Sequence, residues 1–143
     1  MFLGEFSHTI DDKGRLTIPA KFRDELEGGV VVTRGLDGCL WAYGRPEWDA
    51  LADKIAQLPS TNPAARNFAR FMFSIASDSI PDRQGRILLP QKLRDYAEIQ
   101  DETVIIGVKN KLEIWSPVKW EEVVTKVEAA TEDMAAQLQD LGI

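Results

Sequence analysis

Apolar and polar residues follow two different periods along the chain, and these periods predict strands and helices in a regular order. Residues 6–10 alternate between apolar and polar, which is typical of a half-buried strand. Residues 16–18 predict a returning strand after a turn in which Gly14 provides a positive φ, so the two strands are expected to form a hairpin. Pro19 is then expected to open a short helix that ends at residues 28–29.

The next elements are a second hairpin and a longer helix, after which the whole order returns. Residues 30–33 and 39–43 predict two strands joined at residues 35–38. Pro46 opens a helix with apolar residues at helical spacing, at Trp48, Leu51, Ala52, Ile55 and Leu58. The second series consists of residues 79–80 before a turn, a strand at 87–89, a helix at 91–97 after Pro90, a hairpin of 104–108 and 112–115, and a last helix from Pro117.

A loop and one extra helix separate the two series. Residues 58–63 are a loop by composition. The extra helix is expected to start at Pro63 with an apolar face of Phe68, Phe71, Met72 and Ile75. The predicted fold class is therefore α+β, with short hairpins that are each followed by a helix.

An internal repeat underlies this order. Residues 11–24 read DDKGRLTIPAKFRD and residues 82–95 read DRQGRILLPQKLRD, with seven of these fourteen positions identical. We predict two related units, at about 1–58 and 76–139, joined by a linker and the extra helix at about 59–76. A unit of ~50 residues buries too little surface to be stable alone. Residues 1–143 are therefore expected to form a single domain with one pseudo-symmetric core.

The composition argues against most enzyme chemistry. The chain has one histidine, His8, and one cysteine, Cys39, which cannot form a Cys/His zinc site; the thiol is expected to be free and buried. We predict no catalytic residue, metal site, cofactor or small-molecule substrate. No apolar stretch reaches the ~18 residues of a membrane span, and no secretory signal is recognised. A single cysteine cannot form an internal disulfide, so the cytoplasm is the expected compartment. An alternative is a metal-assisted hydrolase that uses the carboxylates of Asp11, Asp12, Asp78 and Asp82.

Charge is segregated along the chain. The net charge is −6, yet residues 11–23 carry +2, residues 82–94 carry +3 and residues 120–143 carry −5. A basic repeated motif in an acidic body permits local binding of phosphate and discourages general adhesion to polyanions.

The repeated motif D-x-x-G-R has a chemistry suited to nucleic acids. Its glycine, Gly14 or Gly85, lets the backbone turn sharply. The arginine that follows, Arg15 or Arg86, projects from a stiff hairpin and offers a planar fork to guanine or phosphate. The leading aspartates, Asp11 and Asp82, can bond the turn amides or orient the arginine. An equal alternative is that Asp11–Arg15 and Asp82–Arg86 are internal salt bridges that only close the turns.

Two further basic positions follow each motif in the pattern Pro-x-Lys-x-Arg. Lys21 and Lys92 are candidate DNA contacts or, equally, residues of solvated helix faces, and Arg23 and Arg94 are expected to lie on such faces. The four tryptophans are expected to pack in the core. In the last helix Trp120, Val127, Met134 and Leu141 recur every seven residues. This row predicts either packing on the same domain or a contact between subunits.

The opening MFLGEF, then IDDKGRLTIPAKFR, then DRQGRILLPQKLR resemble the bacterial MraZ family over nearly the whole chain. The resemblance implies a swapped-hairpin fold of the AbrB type, with two such units fused in one chain. It also implies a sequence-specific DNA-binding regulator, generally a repressor, at the promoter of the division and cell-wall gene cluster. Members assemble closed rings that bind short direct repeats through D-x-x-x-R motifs.

Carried onto this chain, the motif arginines are Arg15 and Arg86, with Lys13 and Arg83 beside them. The implied partners are double-stranded DNA and further copies of the chain in a ring, and the implied location is the nucleoid. The alternative from a different class is an interaction module, in which an acidic ring binds another protein and the turns are purely structural.

Overall fold

The computed structural model describes all of residues 1–143 and has an α+β architecture. A six-stranded antiparallel sheet has the order β1-β7-β8-β4-β3-β5, and β2 and β6 form a separate two-stranded ribbon. The strands are β1 (Phe2–Thr9), β2 (Arg15–Thr17), β3 (Val30–Arg34), β4 (Leu40–Gly44), β5 (Ser77–Ser79), β6 (Arg86–Leu88), β7 (Glu102–Lys109) and β8 (Leu112–Trp115). The helices are α1 (Arg23–Leu26), α2 (Arg45–Ala56), α3 (Pro63–Phe73), α4 (Gln91–Ala97), α5 (Pro117–Ala129) and α6 (Thr131–Gln137).

Three short 3₁₀ helices complete the secondary structure, at Ala20–Phe22, Leu36–Gly38 and Gln139–Leu141. The predicted class and the two fused units are therefore confirmed. The helix predicted after Pro19 is present in two pieces, since a 3₁₀ turn precedes α1. No helix is long and apolar enough to cross a membrane.

β3 pairs with β4 and β7 with β8 as predicted within each unit, whereas the remaining strand pairs join the two units. β1 pairs with β7 along its whole length, from Phe2↔Lys109 to Thr9↔Glu102. β5 pairs with β3, and β2 pairs with β6. The predicted hairpin of β1 and β2 is limited to its tip, with one bridge between Ile10 and Leu16 and a hydrogen bond from the N–H of Asp11 to the carbonyl of Arg15 at 3.0 Å. The prediction that the two strands pair with each other is wrong, because each pairs with a strand of the other unit.

The shared core explains why the strands cross between the units. One cluster of eighteen buried residues contains side chains from both units. Residues separated by 71 positions are buried as pairs: Leu16 and Ile87, Ile18 and Leu89, Phe22 and Leu93, and Leu26 and Ala97. β2 and β6 pair with each other, and this pairing places Leu16 and Ile87 side by side in the core. The predicted bounds of the two repeats stay a prediction.

α2 and α3 cover the face of β3 and β4 opposite to the shared core, whereas α1 and α4 contribute Leu26, Leu93 and Ala97 to that core. α2 and α3 pack through Trp48, Ile55 and Met72 onto Val31 and Tyr43. The predicted helix from residue 91 to 97 is confirmed, and Pro90 caps its first turn. The predicted helix from Pro46 ends at Ala56, however, and Leu58 beyond it is 44% exposed. Of the tryptophans, Trp48 and Trp115 are buried, and Trp41 and Trp120 are half-buried.

The end of the chain is not one continuous helix. Ala130 has φ −117° and ψ 18°, which separates α5 from α6 and interrupts the predicted seven-residue row. The hydroxyl of Thr131 donates a hydrogen bond to the carbonyl of Val127 at 3.0 Å, a contact that bends helices. Trp120 packs against Trp115 near the start of α5. The apolar side chains further along are exposed: Val127 45%, Met134 37%, Leu138 40% and Leu141 74%.

Candidate nucleic-acid interface

The two-stranded ribbon has one apolar and one basic face. Arg15 lies opposite Leu88, Leu16 opposite Ile87, and Thr17 opposite Arg86. Because paired residues of antiparallel strands point to the same side of a sheet, Leu16 and Ile87 face the core. The other two pairs face outward, which places Arg15 and Arg86 on the same exposed face.

The first tip, residues 11–15, is closed by one aspartate. Oδ1 of Asp11 accepts hydrogen bonds from the backbone N–H of Lys13 at 3.0 Å and of Arg15 at 2.8 Å. Its Oδ2 accepts a hydrogen bond from Nε of Arg15 at 2.7 Å. Gly14 has φ +79°, a left-handed conformation that glycine adopts without steric cost.

The second tip, residues 82–86, repeats this arrangement. Oδ1 of Asp82 accepts from the N–H of Gln84 at 3.0 Å and of Arg86 at 2.9 Å, and its Oδ2 accepts from Nε of Arg86 at 2.8 Å. Gly85 has φ +75°. One difference is that Nη2 of Arg86 also donates to Oε1 of Gln84 at 3.3 Å. The position that matches Gln84 in the first tip is Lys13, which carries no acceptor for such a bond.

The salt bridges fix both arginines without using the whole guanidinium. Each ion pair engages Nε, and the side chains of Arg15 and Arg86 keep 30% and 27% of their surface exposed. The internal ion pair, one of the two interpretations of the motif, is therefore present. It leaves the terminal Nη groups of Arg15 without a partner in the chain, so the ion pair is compatible with contacts outward.

Hydrogen bonds within each tip lower the pKa of its aspartate. The backbone N–H of Arg15 is the main cause that lowers the pKa of Asp11, and the side chain of Arg15 adds to it. The N–H and side chain of Arg86 lower the pKa of Asp82 in the same way. We call the three hydrogen bonds that each aspartate accepts within its tip the clamp. An ionised carboxylate accepts such bonds most strongly, so the lowered pKa values are consistent with a clamp that is formed at neutral pH.

A second arginine reaches each tip from the other repeat. Nε of Arg94 donates to the carbonyl of Leu89 at 2.8 Å, and a Cβ at Gly14 would lie 2.9 Å from Nη2 of Arg94. Arg23 is placed in the same way, with a bond of 3.1 Å to the carbonyl of Ile18 and its side chain packed against Gly85.

The prediction that Arg23 and Arg94 lie on solvated helix faces is therefore wrong. Both are half-buried and hydrogen-bonded, because the absent side chain at each glycine leaves room for an arginine from the other repeat. The signal in the sequence was the joint recurrence of the glycine and of the arginine nine residues after it in both repeats. Sequence reasoning missed the connection because the pairing partner of each strand was unknown.

The four remaining candidates lie exposed near the ribbon. Lys13 and Arg83 are at the two tips, Lys21 is in the 3₁₀ turn after β2, and Lys92 is in α4 after β6. None of the four forms a salt bridge within the chain. Their charges are therefore available to an anionic partner.

The carboxylates proposed for a hydrolase are not assembled into a site. No three histidine, cysteine, aspartate or glutamate side chains are placed to hold a metal ion. Asp11 and Asp82 are engaged by their arginines, and Asp78 forms a salt bridge of 3.4 Å with Arg45. Cys39 is free and fully buried as predicted, and burial raises the pKa of its thiol to about 12.

The fold and this surface together define a class of protein: a tandem α+β repeat that presents a basic β-ribbon with arginines fixed by aspartates. A model of the family described as "MraZ protein, putative antitoxin-like" matches the chain twice, over residues 1–71 and 72–141. The chain belongs to the MraZ family.

Full-length relatives agree with this assignment. The chain is similar to a "Transcriptional regulator MraZ" of Pediococcus pentosaceus, with 50% identity over 143 residues and 100% of both chains covered. A protein of the same name from Halothermothrix orenii is also 50% identical over 143 residues, with 100% of both chains covered. Another from Roseiflexus castenholzii is 50% identical over 141 residues, with 99% of both chains covered. These names are those of regulators and not of enzymes.

Proposed function

We propose that the protein is a DNA-binding transcriptional regulator that contacts DNA through its β2–β6 ribbon. The single observation that carries the proposal is the outer face of the ribbon, where two arginines are each held by an aspartate at 2.7 and 2.8 Å. The regulator names of relatives that match 100% of the chain support the same conclusion.

A two-stranded β-ribbon is an element that can enter the major groove of DNA. The major groove of B-DNA admits a two-stranded β-ribbon, and arginine is the side chain most often found on the O6 and N7 of guanine. A clamped arginine loses little rotamer entropy on binding because its orientation is already set. Arg15 and Arg86 would therefore contact bases or phosphates through their terminal nitrogens.

The other basic side chains suit the role of phosphate contacts. Arg23 and Arg94 lie beside the glycines of the tips, and Lys13, Lys21, Arg83 and Lys92 are exposed around them. Contacts to phosphate position a protein on the duplex and supply much of its affinity. The net charge of −6 does not prevent DNA binding, because positive charge is concentrated in residues 11–23 and 82–94, which contain the ribbon.

We also propose that the protein represses a promoter with short direct repeats as a closed ring of identical chains, and that it is associated with the nucleoid in the cytoplasm. The exposed apolar side chains of α5 and α6, among them Val127 (45% exposed) and Leu138 (40%), support self-association, because the chain leaves much of their surface uncovered. Several copies on successive repeats raise the effective concentration of each tip and so increase the overall affinity.

The test is fluorescence anisotropy of a labelled duplex from the region upstream of the chain's own coding sequence, against a scrambled duplex, across a salt series. We expect preferential binding to the upstream duplex. Arg15→Ala or Arg86→Ala should weaken it by about 1–3 kcal/mol if the arginine reads a base pair. The slope of log affinity against log salt should fall by about one unit if it contacts a phosphate.

Lys54→Ala is the matched control, because Lys54 is an exposed basic residue of α2 in a distant part of the sequence. Thermal melts of each variant separate a loss of contact from a loss of folding. Equal weak binding to both duplexes, unchanged in the arginine variants, would overturn the proposal. A lowered melting temperature with unchanged affinity would instead support the interaction module with structural turns.

A further inference from the structure

An exposed leucine interrupts the basic face of the ribbon. Leu88 is 51% exposed and lies directly opposite Arg15 in the register of β2 and β6. The equivalent position of the first repeat is Thr17, which lies opposite Arg86. A single exposed leucine is ordinary on a protein surface. This one is distinguished by its place in a ribbon whose other outward side chains are polar.

The leucine leans toward the first tip. A Cβ at Gly14 would lie 3.5 Å from Cδ1 of Leu88, and 2.9 Å from Nη2 of Arg94. Directly opposite residues of an antiparallel pair have Cβ atoms about 5 Å apart. Leu88 therefore lies across from Arg15, and its Cδ1 and the Nη2 of Arg94 both lie near the position of a Cβ at Gly14, so an exposed apolar group has two cations in its neighbourhood.

We propose that Leu88 contacts the C5-methyl group of a thymine in the major groove, within one or two base pairs of the base that Arg15 contacts. This inference rests on the proposed function. Thymine methyl is the apolar group that the major groove offers. The spacing fits, because successive base pairs are about 3.4 Å apart and Leu88 and Arg15 are neighbours across the strands.

The charges around Leu88 favour DNA over an apolar protein surface as its occupant. A partner protein that covered Leu88 would also desolvate Arg15 and Arg94, which is costly unless it brings carboxylates. A duplex supplies phosphates and guanine acceptors for the arginines together with the methyl group for the leucine. The inference also makes the two ends of the ribbon different, because Thr17 presents a hydroxyl where Leu88 presents only carbon.

The experiment removes single methyl groups from the DNA. In the upstream duplex each thymidine is replaced in turn by deoxyuridine, which lacks only the C5-methyl, and binding of the full chain is measured by anisotropy. We expect one or two replacements to weaken wild-type binding by about threefold to fivefold, the equivalent of a buried methyl group. Leu88→Ala should lose a similar factor on the unmodified duplex and become insensitive to those same replacements.

Leu36→Ala is the matched control, since Leu36 is also 51% exposed but lies in the turn between β3 and β4. It should keep the sensitivity to deoxyuridine. The inference is overturned, with the proposed function intact, if wild type prefers the upstream duplex but no replacement affects it, or if Leu88→Ala stays equally sensitive. A change of oligomeric state in Leu88→Ala on size exclusion would also overturn it and assign Leu88 to a protein contact. No preference for the upstream duplex would overturn both.

Discussion

The two tips of the ribbon have the same internal geometry and different supports. Each aspartate accepts two backbone N–H bonds and one arginine Nε, and matching distances differ by no more than 0.1 Å between Asp11 and Asp82. The strand before the first tip, β1, is paired over eight residues, whereas β5 before the second tip is paired over three. The clamp therefore depends only on the five residues of each tip. The anchoring of each tip depends on the length of the strand that precedes it, which differs between the two.

A single substitution in the repeat contributes to this difference. The N–H of Ile10 donates to the carbonyl of Asp101 at 2.7 Å, which ties the start of the first tip to the chain before β7. The equivalent residue in the second repeat is Pro81, which has no N–H to donate. The second tip is also more basic, since residues 82–86 sum to +1 and residues 11–15 to zero. The comparison indicates a firmly held first tip and a freer, more strongly charged second tip.

The largest expected difference between the tips is in the loss of stability when the glycine of each tip is replaced by alanine. Gly14→Ala should destabilise by about 1–2 kcal/mol, the cost of a left-handed conformation for an L-residue, because only the flexible end of Arg94 must move. Gly85→Ala should cost more, because Nε and Cδ in the middle of the Arg23 side chain must move, which breaks its bond to Ile18.

Urea denaturation of both variants measures this order. Gly28→Ala is the control, because a Cβ there meets nothing within 4 Å and its φ is not positive. Equal decreases in the free energy of unfolding for Gly14→Ala and Gly85→Ala would show that the way in which an arginine packs on each glycine does not affect the stability of the variant.

A smaller difference is expected in local opening. The N–H of Gly14 donates to the carbonyl of Asp11 at 3.0 Å and the N–H of Gly85 to that of Asp82 at 2.9 Å, so the two amides have matched local bonds. We expect the Gly85 amide to exchange with deuterium on the order of tenfold faster, because the second tip opens without disturbing a long strand pair. Native-state exchange followed by NMR gives both rates in one sample. Equal protection would contradict the difference in anchoring.

The smallest difference is expected in the titration of the two aspartates. Both pKa values should lie below the ordinary value of 3.8, since the same backbone and arginine donors stabilise both carboxylates. Each clamp therefore contributes its full stability above the unfolded value and loses it as the pH falls through the lowered pKa. A ¹³C carboxyl titration by NMR measures both. Because the backbone N–H is the main cause, Arg15→Ala should leave much of the lowering at Asp11, and complete reversal would contradict this.

Local features of the fold could be predicted from the sequence, because they depend on residues close together in it. The helix over residues 91–97 and the turns with Gly14 and Gly85 follow from proline and glycine at defined positions. The buried pairs at a separation of 71 residues follow from the repeat. The ion pairs between Asp11 and Arg15 and between Asp82 and Arg86 were one of two interpretations, and both are present.

Features that depend on distant partners were beyond prediction. The pattern of residues 16–18 indicates a strand, which the structure places at Arg15–Thr17, but it carries no information that β6 rather than β1 is its partner. The positions of Arg23 and Arg94 depend on that pairing, so their packing against Gly85 and Gly14 was missed. The break at Ala130 was missed because alanine favours helices, and a hydroxyl bond from Thr131 opposes that preference.

The crossed pairing of β1 with β7 and of β5 with β3 gives the chain the character of a homodimer joined end to end. A polypeptide with the first repeat alone would keep its β3–β4 hairpin but leave β1 and β2 without partners and Leu16 without Ile87. Two such polypeptides would complete each other by exchanging strands. Joining them fixes the stoichiometry at one to one and removes the requirement that both copies be identical. Divergence such as Asp12 against Arg83, or Thr17 against Leu88, then becomes accessible to a protein that would otherwise carry every substitution twice.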